Sequence, residues 1–264
     1  MANTSKGQLA VVTGASSGIG YELAREFAEH GFDLIIAAED GGIVEARQAF
    51  EGLGVKVESV QVDLAKADGV EKLWERVKGR NVDAVAINAG VGVGGEFKTT
   101  DLDRELNIVD LNCRSVVHLA KRAVQQMTAQ GHGRILITSS IASTMPGAFE
   151  AVYAASKAFD QSLAQALREE LKDSGITVTS LMPGPTDTNF FHRAGMDDTK
   201  VGAGKKDGAD QVAKQGFEAL MAGKDHVVAG SWKNNIQAGA AKILSEPVKA
   251  KIHAGMAAPG SGKE

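Results

Sequence analysis

A tyrosine and a lysine stand four residues apart in "YAASK" (153–157), among side chains that are otherwise small. Residues i and i+4 lie on one face of a helix, so Tyr153 and Lys157 can point into the same space. A free tyrosine has a pKa of about 10 and is a poor base near neutrality. A lysine ammonium about 4 Å away, at an effective dielectric constant of about 20, favours the phenolate by about 4 kcal/mol, or roughly three pKa units. The pair is therefore a candidate acid/base catalyst, and Lys157 is predicted to lower the tyrosine pKa.

A serine hydroxyl is a candidate third member of this site. Ser140, in "ITSSIAS", follows an apolar run and precedes the tyrosine by thirteen residues. Its hydroxyl can hydrogen-bond the same substrate oxygen that Tyr153 protonates or deprotonates. The alternative is that Tyr153 packs in a cluster of side chains and Lys157 is simply solvated.

A glycine-rich turn, "TGASSGIG" (13–20), lies between the first apolar run and an amphipathic segment. Gly14 permits a tight turn, Gly18 lets the backbone approach a ligand, and Gly20 lets helix and strand pack closely. The helix N-terminus then offers unpaired N–H groups to a pyrophosphate. The turn is a candidate dinucleotide site formed by Gly14, Ser16, Ser17, Gly18, Ile19 and Gly20.

The same turn also matches the G-x-S-x-G nucleophile elbow of the α/β-hydrolases, with Ser16 as the nucleophile. Such an enzyme needs an oxyanion loop from an earlier strand, but only thirteen residues precede Gly14. None of the six histidines stands in a context that marks it as the base. The sequence therefore favours dinucleotide binding over hydrolysis.

The elements that must position these residues are strands alternating with amphipathic helices. The strands are too apolar to have one face in water, which indicates a parallel sheet covered on both sides. Ligands of such sheets bind beyond the carboxyl ends of the strands, where the glycines and small polar residues of this chain concentrate. The predicted strands lie in "LAVVTG" (9–14), "DLIIAA" (33–38), "VKVESVQVDL" (55–64), "VDAVAINAG" (82–90), "RILITSS" (134–140), "ITVTSLMPG" (176–184) and "HVVAG" (226–230).

Taken together, the motifs resemble the short-chain dehydrogenase/reductase family, in its single-domain branch, from Leu9 to about Gly230. The resemblance implies an α/β fold, a Rossmann-type doubly wound parallel sheet of about seven strands with helices on both faces. It also implies an NAD(P)-dependent oxidoreductase that acts on a small-molecule carbonyl or secondary alcohol. The motifs follow the family order: "TGASSGIG" (13–20), "DL" (63–64), "NAG" (88–90), "LN" (111–112), "SS" (139–140), "YAASK" (153–157) and "PGPTDT" (183–188).

The resemblance further implies a role for each matching residue. Tyr153 is the general acid/base, Lys157 lowers its pKa and bonds the nicotinamide ribose, and Ser140 orients the carbonyl or alcohol. Asn112 helps to hold a proton-relay water beside Lys157. The other expected cofactor contacts are Asp63 and Leu64 at the adenine, Asn88, Ala89 and Gly90 along the adenosine ribose, and Pro183, Gly184, Thr186 and Thr188 towards the nicotinamide. Asp63 as a helix cap and Asn88 as a tie between strands are the alternatives.

The loop after the second strand bears on the choice of cofactor. It reads "IIAAEDGG" (35–42), with Glu39 and Asp40 and without arginine or lysine. A 2′-phosphate would meet these carboxylates, whereas a carboxylate about twenty residues beyond the last glycine can accept bonds from ribose hydroxyls. NAD(H) is therefore favoured, and NADP(H) is the alternative should Arg47 or Lys66 reach the site.

The chain is expected to form one domain over 1–250, with a substrate lid at about 189–207. Phe190 and Phe191 in the lid form either an apolar wall of the pocket or anchors for the loop. The segment 251–264 is small, polar and proline-containing, and it is expected to be a flexible tail.

Composition argues against several classes of partner. The formal charge is −4 with scattered basic residues, which argues against nucleic acid. No apolar run reaches the length of a membrane helix, and the first ten residues lack the apolar core of a signal peptide. Cys113 is the only cysteine, which excludes an internal disulfide and a cysteine-built metal site, and no metal is expected. These features predict a cytoplasmic protein.

The resemblance also implies a homodimer or homotetramer that pairs through the helices near 110–130 and 152–172. A catalytically inactive dinucleotide-binding sensor or scaffold is the other functional hypothesis. The presence of serine, tyrosine, lysine and asparagine at all four catalytic positions argues against it.

Overall fold

Parallel strands form the centre of the molecule. The computed structural model describes residues 7–232, 234, 236, 239 and 244–263. The strands of this part of the chain form one seven-stranded parallel sheet in the order β3-β2-β1-β4-β5-β6-β7. They are β1 Leu9–Thr13, β2 Asp33–Ala38, β3 Val57–Gln61, β4 Ala84–Ile87, β5 Gly133–Thr138, β6 Ile176–Pro183 and β7 His226–Ala229. Six of them lie within a predicted apolar run and β5 begins one residue before its run, so the Rossmann-type fold is confirmed.

The strand order reverses beside β1, and this reversal creates the binding crevice. Ala10 of β1 is in register with Leu34 of β2 on one side and with Ala84 of β4 on the other. The connections that leave β1 and β4 run to opposite faces of the sheet, so the carboxyl ends of these strands border an open crevice. The central strands are buried along their whole length, whereas the edge strand β3 exposes Glu58 and Gln61.

Helices cover both faces of the sheet. Phe27 of α1, Phe50 of α2 and Phe217 of α9 belong to the core on one face. Leu73 of α3, Leu119 of α5 and Ala164 of α6 belong to the core on the other. Among the described residues, no helix has the length and apolar character needed to cross a bilayer. The helices are α1 Gly18–Glu29, α2 Gly42–Glu51, α3 Ala67–Glu75, α4 Leu102–Ile108, α5 Ser115–Gln130, α6 Ala151–Glu170, α7 Phe190–Ala194, α8 Lys200–Ala203, α9 Ala209–Met221 and α10 Glu246–Ala257, with a π-helical turn at Val109–Arg114 and 3-10 turns at Ile141–Thr144 and Ser261–Lys263.

The expected flexible tail is instead folded against the lid. Most of 251–263 lies in α10 and the 3-10 turn that follows it, and residue 264 lies outside the described residues. Ala257 packs with Phe191 and Met196 of the lid. The Asp198 carboxylate accepts a hydrogen bond from the backbone N–H of Gly260 (2.9 Å). The prediction failed because the small, polar composition conceals one buried face, formed by His253 and Ala257, and because Pro259 follows the end of α10 and does not interrupt it.

Candidate active site

The carboxyl ends of the strands border one cleft, and it gathers almost every residue that the sequence singled out. Asn112 is the one predicted site residue that does not line it. The predicted residues in its lining are Gly14, Ser16, Ser17, Gly18, Ile19, Gly20, Glu39, Asp63, Leu64, Asn88, Ala89, Gly90, Ser140, Tyr153, Lys157, Pro183, Gly184, Thr186 and Thr188.

Backbone geometry explains the glycines of the turn after β1. Gly14 (φ 69°) and Gly18 (φ 58°) have left-handed conformations that disfavour any side chain. A Cβ at Gly20 would lie 2.1 Å from the Gly14 carbonyl oxygen, so only glycine lets α1 start this close to β1. A Cβ at Gly18 would lie 2.9 Å from Thr188 Cγ2, so the loop after β6 closes over the turn. The turn therefore exposes the first N–H groups of α1 to the cleft.

Ser16 supports the adjoining loop. Its hydroxyl donates a hydrogen bond to Asp40 Oδ2 (2.8 Å), and Asp40 Oδ1 accepts one from the backbone N–H of Gly42 (3.0 Å). Ser16 is thus bonded to a carboxylate at the start of α2 and not to a histidine. This arrangement does not suit the nucleophile of a hydrolase, which needs an adjacent general base.

Asn88 ties three strands together at the floor of the cleft. Its side-chain amide donates to the Thr13 carbonyl oxygen of β1 (3.3 Å) and accepts from the Thr138 hydroxyl of β5 (3.1 Å). The Thr13 hydroxyl in turn accepts the backbone N–H of Asn88 (2.9 Å). The side-chain amide of Asn88 therefore has the structural role that the sequence left open.

The adenosine end of the cleft carries acidic side chains without a free cation among its lining residues. Asp63 accepts the backbone N–H of Ala65 (3.0 Å) and pairs with Lys66 (3.1 Å). It forms a turn before α3, whose N-cap position is Lys66, so it is not the helix cap. Arg47 pairs with Glu51 of its own helix (2.9 Å). Both cations that might have reached a 2′-phosphate are thus paired with acids and absent from the cleft lining.

Tyr153 lies in the first turn of α6 and lines the cleft together with Ser140. Burial raises the pKa of Tyr153 above its ordinary value, the carboxylates of Glu150 and Asp160 raise it further, and the Ser140 hydroxyl lowers it. The net direction is upward, opposite to the lowering that the sequence predicted. The Lys157 ammonium donates to the Thr138 carbonyl oxygen (2.9 Å) and to Asp160 (3.0 Å), which balances its charge within α6.

The ion pair between Lys157 and Asp160 is buried beneath the cleft. The Asp160 side chain is 0% exposed, and its second carboxylate oxygen has no hydrogen-bond partner. Burial raises the pKa of Asp160, and the Lys157 ammonium lowers it. Since a buried charge is costly without a partner, each member of this pair depends on the other.

Asn112 lies behind the cleft, in the π-helical turn between α4 and α5. Its side chain is fully used within the protein, since it accepts the Val91 N–H (3.0 Å) and donates to the Val91 carbonyl (2.9 Å) and the Ser156 hydroxyl (3.0 Å). A Cβ at Gly90 would lie 3.3 Å from Asn112 Oδ1 and 3.4 Å from Lys157 Nζ. Asn112 is therefore a close neighbour of Lys157 but does not itself face the cleft.

Comparison with known proteins agrees with this geometry. The family model described as short chain dehydrogenase matches residues 8–198. The chain belongs to the short-chain dehydrogenase family. It is similar, at 33% identity over 84% of this chain and 82% of the relative, to 1-deoxy-11-beta-hydroxypentalenate dehydrogenase of Streptomyces exfoliatus. It is also similar, at 30% identity over 79% of this chain and 87% of the relative, to the 3-oxoacyl-[acyl-carrier-protein] reductase of Escherichia coli.

Solved structures show the same fold. A short-chain dehydrogenase from Sphingobium yanoikuyae in complex with NADPH superposes with a TM-score of 0.79 at 27% identity, over 84% of this chain and 87% of that one. The named relatives are dehydrogenases and reductases, and this chain is accordingly an oxidoreductase that acts on CH–OH or C=O groups.

The two phenylalanines of the dehydrogenase's lid have different roles. The Phe190 ring lies against the Tyr153 ring, with centroids 5.1 Å apart, and lines the cleft. Phe191 is buried with Ala194, Met196 and Ala257 and anchors α7 to α10. His192 is exposed and pairs with Asp197 (2.7 Å). Both phenylalanines therefore line the cleft, Phe191 also anchors α7, and His192 is a surface residue.

Sequence reasoning missed three charged or titratable side chains of the site. Asp160 stands three residues after Lys157, a helical spacing that was readable from the sequence. Glu150 precedes α6, and a lone carboxylate gave no signal of burial. His253 comes from α10, in the segment expected to be flexible, and no local pattern indicated it.

Proposed function

We propose that this short-chain dehydrogenase transfers hydride between a nicotinamide dinucleotide and a carbonyl or secondary alcohol, with Tyr153 as the general acid/base. One observation carries the proposal: Tyr153, Ser140 and the glycine turn after β1 line the same cleft. A proton donor, a second hydroxyl and a dinucleotide cradle are the parts that such a transfer needs.

The residues of the cleft fit a dinucleotide. Gly14 and Gly18 keep the turn free of side chains, so a pyrophosphate can approach the N–H groups at the start of α1. The buried side chain of Leu64 offers an apolar surface to the adenine beside Asp63. Thr186 and Thr188 line the cleft in the loop after β6, and Thr188 lies against Gly18 of the turn. When bound, the nicotinamide would supply or accept the hydride.

The chain's own residues would move the proton. Ser140 would hold the substrate oxygen, and Tyr153 would give it a proton as the carbonyl is reduced. Because burial raises the pKa of Tyr153, the phenol holds a proton near neutrality, and this is the proton that the reduction consumes. Lys157 would contribute through its buried positive charge, which Asp160 partly offsets.

Charge at the adenosine end supports NAD(H) as the cofactor. Glu39 and Asp40 line the cleft, where a carboxylate can accept hydrogen bonds from ribose hydroxyls but repels a 2′-phosphate. The related structures bind either form, since NADPH, NADP and NADH all occur among them. The preference therefore rests on the side chains of this chain alone.

An exposed apolar surface supports a homo-oligomer. The apolar stripe of α5 formed by Leu119, Ala123 and Met127 is buried within the subunit. The apolar residues left exposed on α4, α5, α6 and the π-helical turn are Leu102, Leu106, Val109, Val117 and Phe159. We propose that two copies of the chain pair through this surface.

The decisive experiment compares Tyr153→Phe with Tyr21→Phe. Tyr21 is the only other tyrosine, and its ring packs against Phe50 (4.8 Å between centroids). Wild type and both variants are titrated with NADH and with NADPH by nicotinamide fluorescence, and turnover is then measured on a panel of ketones and secondary alcohols. NADH should bind more tightly than NADPH in all three proteins, and turnover should be lost in Tyr153→Phe alone.

Each contrary result points to a different error. Unchanged turnover in Tyr153→Phe would remove the tyrosine from the mechanism. Tighter binding of NADPH would overturn the cofactor assignment. If the wild type binds a dinucleotide but turns over nothing on the panel, the sensor or scaffold hypothesis replaces the enzymatic one.

A further inference from the structure

The substrate end of the cleft contains a buried polar pair in apolar surroundings. Glu150 and His253 are 6% and 5% exposed, and Glu150 Oε2 lies 3.5 Å from His253 Nε2. Both residues line the cleft beside Tyr153. The lining of the same cleft also contains Arg193 and a set of apolar side chains: Ile141, Ala142, Met145, Phe190, Val201 and Met256.

The Glu150 carboxyl is placed for a role other than holding the helix. Glu150 occupies the N-cap position of α6, yet its side chain makes no capping hydrogen bond. No described residue donates a hydrogen bond to the carboxyl, and neither oxygen is sealed off in the interior. The preceding residue, Phe149, has a φ of 68°, the one positive φ of a non-glycine among the described residues. Such strain in a bulky residue is typical of functional sites, and here it sets the direction of Glu150.

His253 fixes the protonation pattern of the pair. The Ala148 carbonyl oxygen can only accept a hydrogen bond, so His253 Nδ1 carries the proton in their 2.9 Å bond. In the neutral imidazole, Nε2 is then an acceptor that faces Glu150. Burial raises the pKa of Glu150 to about 7 and lowers the pKa of His253. Near neutrality the pair therefore tends towards an uncharged acid and an uncharged imidazole, with a carboxyl oxygen left for a ligand.

We propose that Glu150 and His253 bind a hydroxyl group of the substrate, so that this enzyme prefers hydroxyketones and diols to ketones and alcohols without the second oxygen. The inference rests on the proposed function, because the position of this hydroxyl is defined relative to the carbonyl carbon whose oxygen Tyr153 protonates. A hydroxyl both donates to a carboxyl oxygen and accepts from its O–H, which suits a pair that shares one proton.

Other substituents fit the pair less well. A hydrocarbon substituent would bury the Glu150 carboxyl against apolar atoms without a hydrogen bond, and sites built to bond a hydroxyl reject analogues that lack it. An anionic substituent would keep Glu150 protonated but would bury its own charge among the apolar side chains. A cationic substituent would require Glu150 to ionise in the same surroundings.

The test uses matched ketones with NADH: 2-hydroxycyclohexanone against cyclohexanone. We expect kcat/KM of the wild type to be higher for the hydroxyketone by about tenfold or more, the value of one good buried hydrogen bond. The double variant Glu150→Met/His253→Phe replaces both partners by apolar groups of similar size and should bring the ratio to about one. His192→Gln changes an exposed histidine outside the cleft lining and should keep the wild-type ratio. Should the double variant not fold, Glu150→Asp withdraws the carboxyl and should lower the ratio in the same direction.

A binding measurement separates this inference from the proposed function. The affinities of trans-1,2-cyclohexanediol and cyclohexanol are measured by calorimetry on wild type and double variant, each saturated with NADH. Tighter binding of the diol to wild type only, even without turnover, would support the hydroxyl site while overturning the oxidoreductase mechanism. Equal affinities in the wild type, or a preference that survives in the double variant, would overturn the hydroxyl site and leave the mechanism standing. A change in melting temperature without a change in either ratio would show that the pair merely attaches α10.

Discussion

Glu150→Gln should stabilise the protein at alkaline pH and do little at acidic pH. Burial raises the pKa of Glu150 from 4.5 to about 7, so the folded state holds this proton more tightly than the unfolded state does. Below pH 4.5 the carboxyl is protonated in both states and has no effect on the free energy of unfolding. As pH rises towards 7 the unfolded carboxyl ionises first, and stability falls. Above that range the ionisation of Glu150 lowers the free energy of unfolding by about 3 kcal/mol. Glutamine resembles the protonated acid and does not ionise, so the variant does not lose this stability.

The assay is thermal unfolding followed by circular dichroism, without cofactor, at about pH 5 and about pH 8. For a chain of this size, about 3 kcal/mol corresponds to a gain of roughly 6–12 °C in Tm for Glu150→Gln at the higher pH. His253 is unchanged in both proteins, so its own titration largely cancels in the difference. Glu169→Gln, a change of an exposed carboxyl on the same helix, measures the effect of the substitution itself. A Tm difference that is the same at both pH values, or a Glu150→Gln protein that is less stable at alkaline pH, would refute the reasoning.

Two further predictions concern the buried ion pair and the exposed apolar surface. Asp160→Asn leaves Lys157 buried without a counterion and should destabilise the protein by about 3 kcal/mol or more in chemical denaturation. The same change removes a carboxylate that raises the pKa of Tyr153, so the pH profile of alcohol oxidation should move to lower pH; an unmoved profile would show that Asp160 does not act on Tyr153. Val117→Asp on α5 (44% exposed) should reduce the mass measured by light scattering to that of a monomer, whereas Val44→Asp on α2 (49% exposed) should not. An unchanged mass in Val117→Asp would exclude this surface as the interface.

The fold was predictable from the sequence because its signals are local. Buried parallel strands read as short apolar runs, and β2 Asp33–Ala38 has the bounds of the run that predicted it. The glycine turn was equally predictable, because a side chain at these positions would be sterically unfavourable. A Cβ at Gly20, for example, would lie 2.1 Å from the Gly14 carbonyl oxygen. Strand and turn together placed the cleft at the right edge of the sheet.

The electrostatics of the cleft could not be predicted from the sequence. Helical spacing places Tyr153 and Lys157 on one face but does not say which acceptor the long lysine side chain will choose. Asp160 and the Thr138 carbonyl take its hydrogen bonds, and Tyr153 is left with burial and two carboxylates. His253 lies in α10 and bonds the carbonyl oxygen of Ala148, from which it is separated by 105 positions in the chain. No local sequence pattern predicts such a contact.

These side chains together bear on the pH dependence of the reaction. Burial, Glu150 and Asp160 all disfavour the phenolate of Tyr153, whereas the Ser140 hydroxyl favours it. A protonated tyrosine can give its proton to the oxygen of a carbonyl, whereas proton abstraction from an alcohol needs the phenolate. Under the proposed mechanism, alcohol oxidation should therefore accelerate as the pH rises above neutrality. Removal of either carboxylate would make the phenolate easier to form, so oxidation should begin at a lower pH in Asp160→Asn than in the wild type.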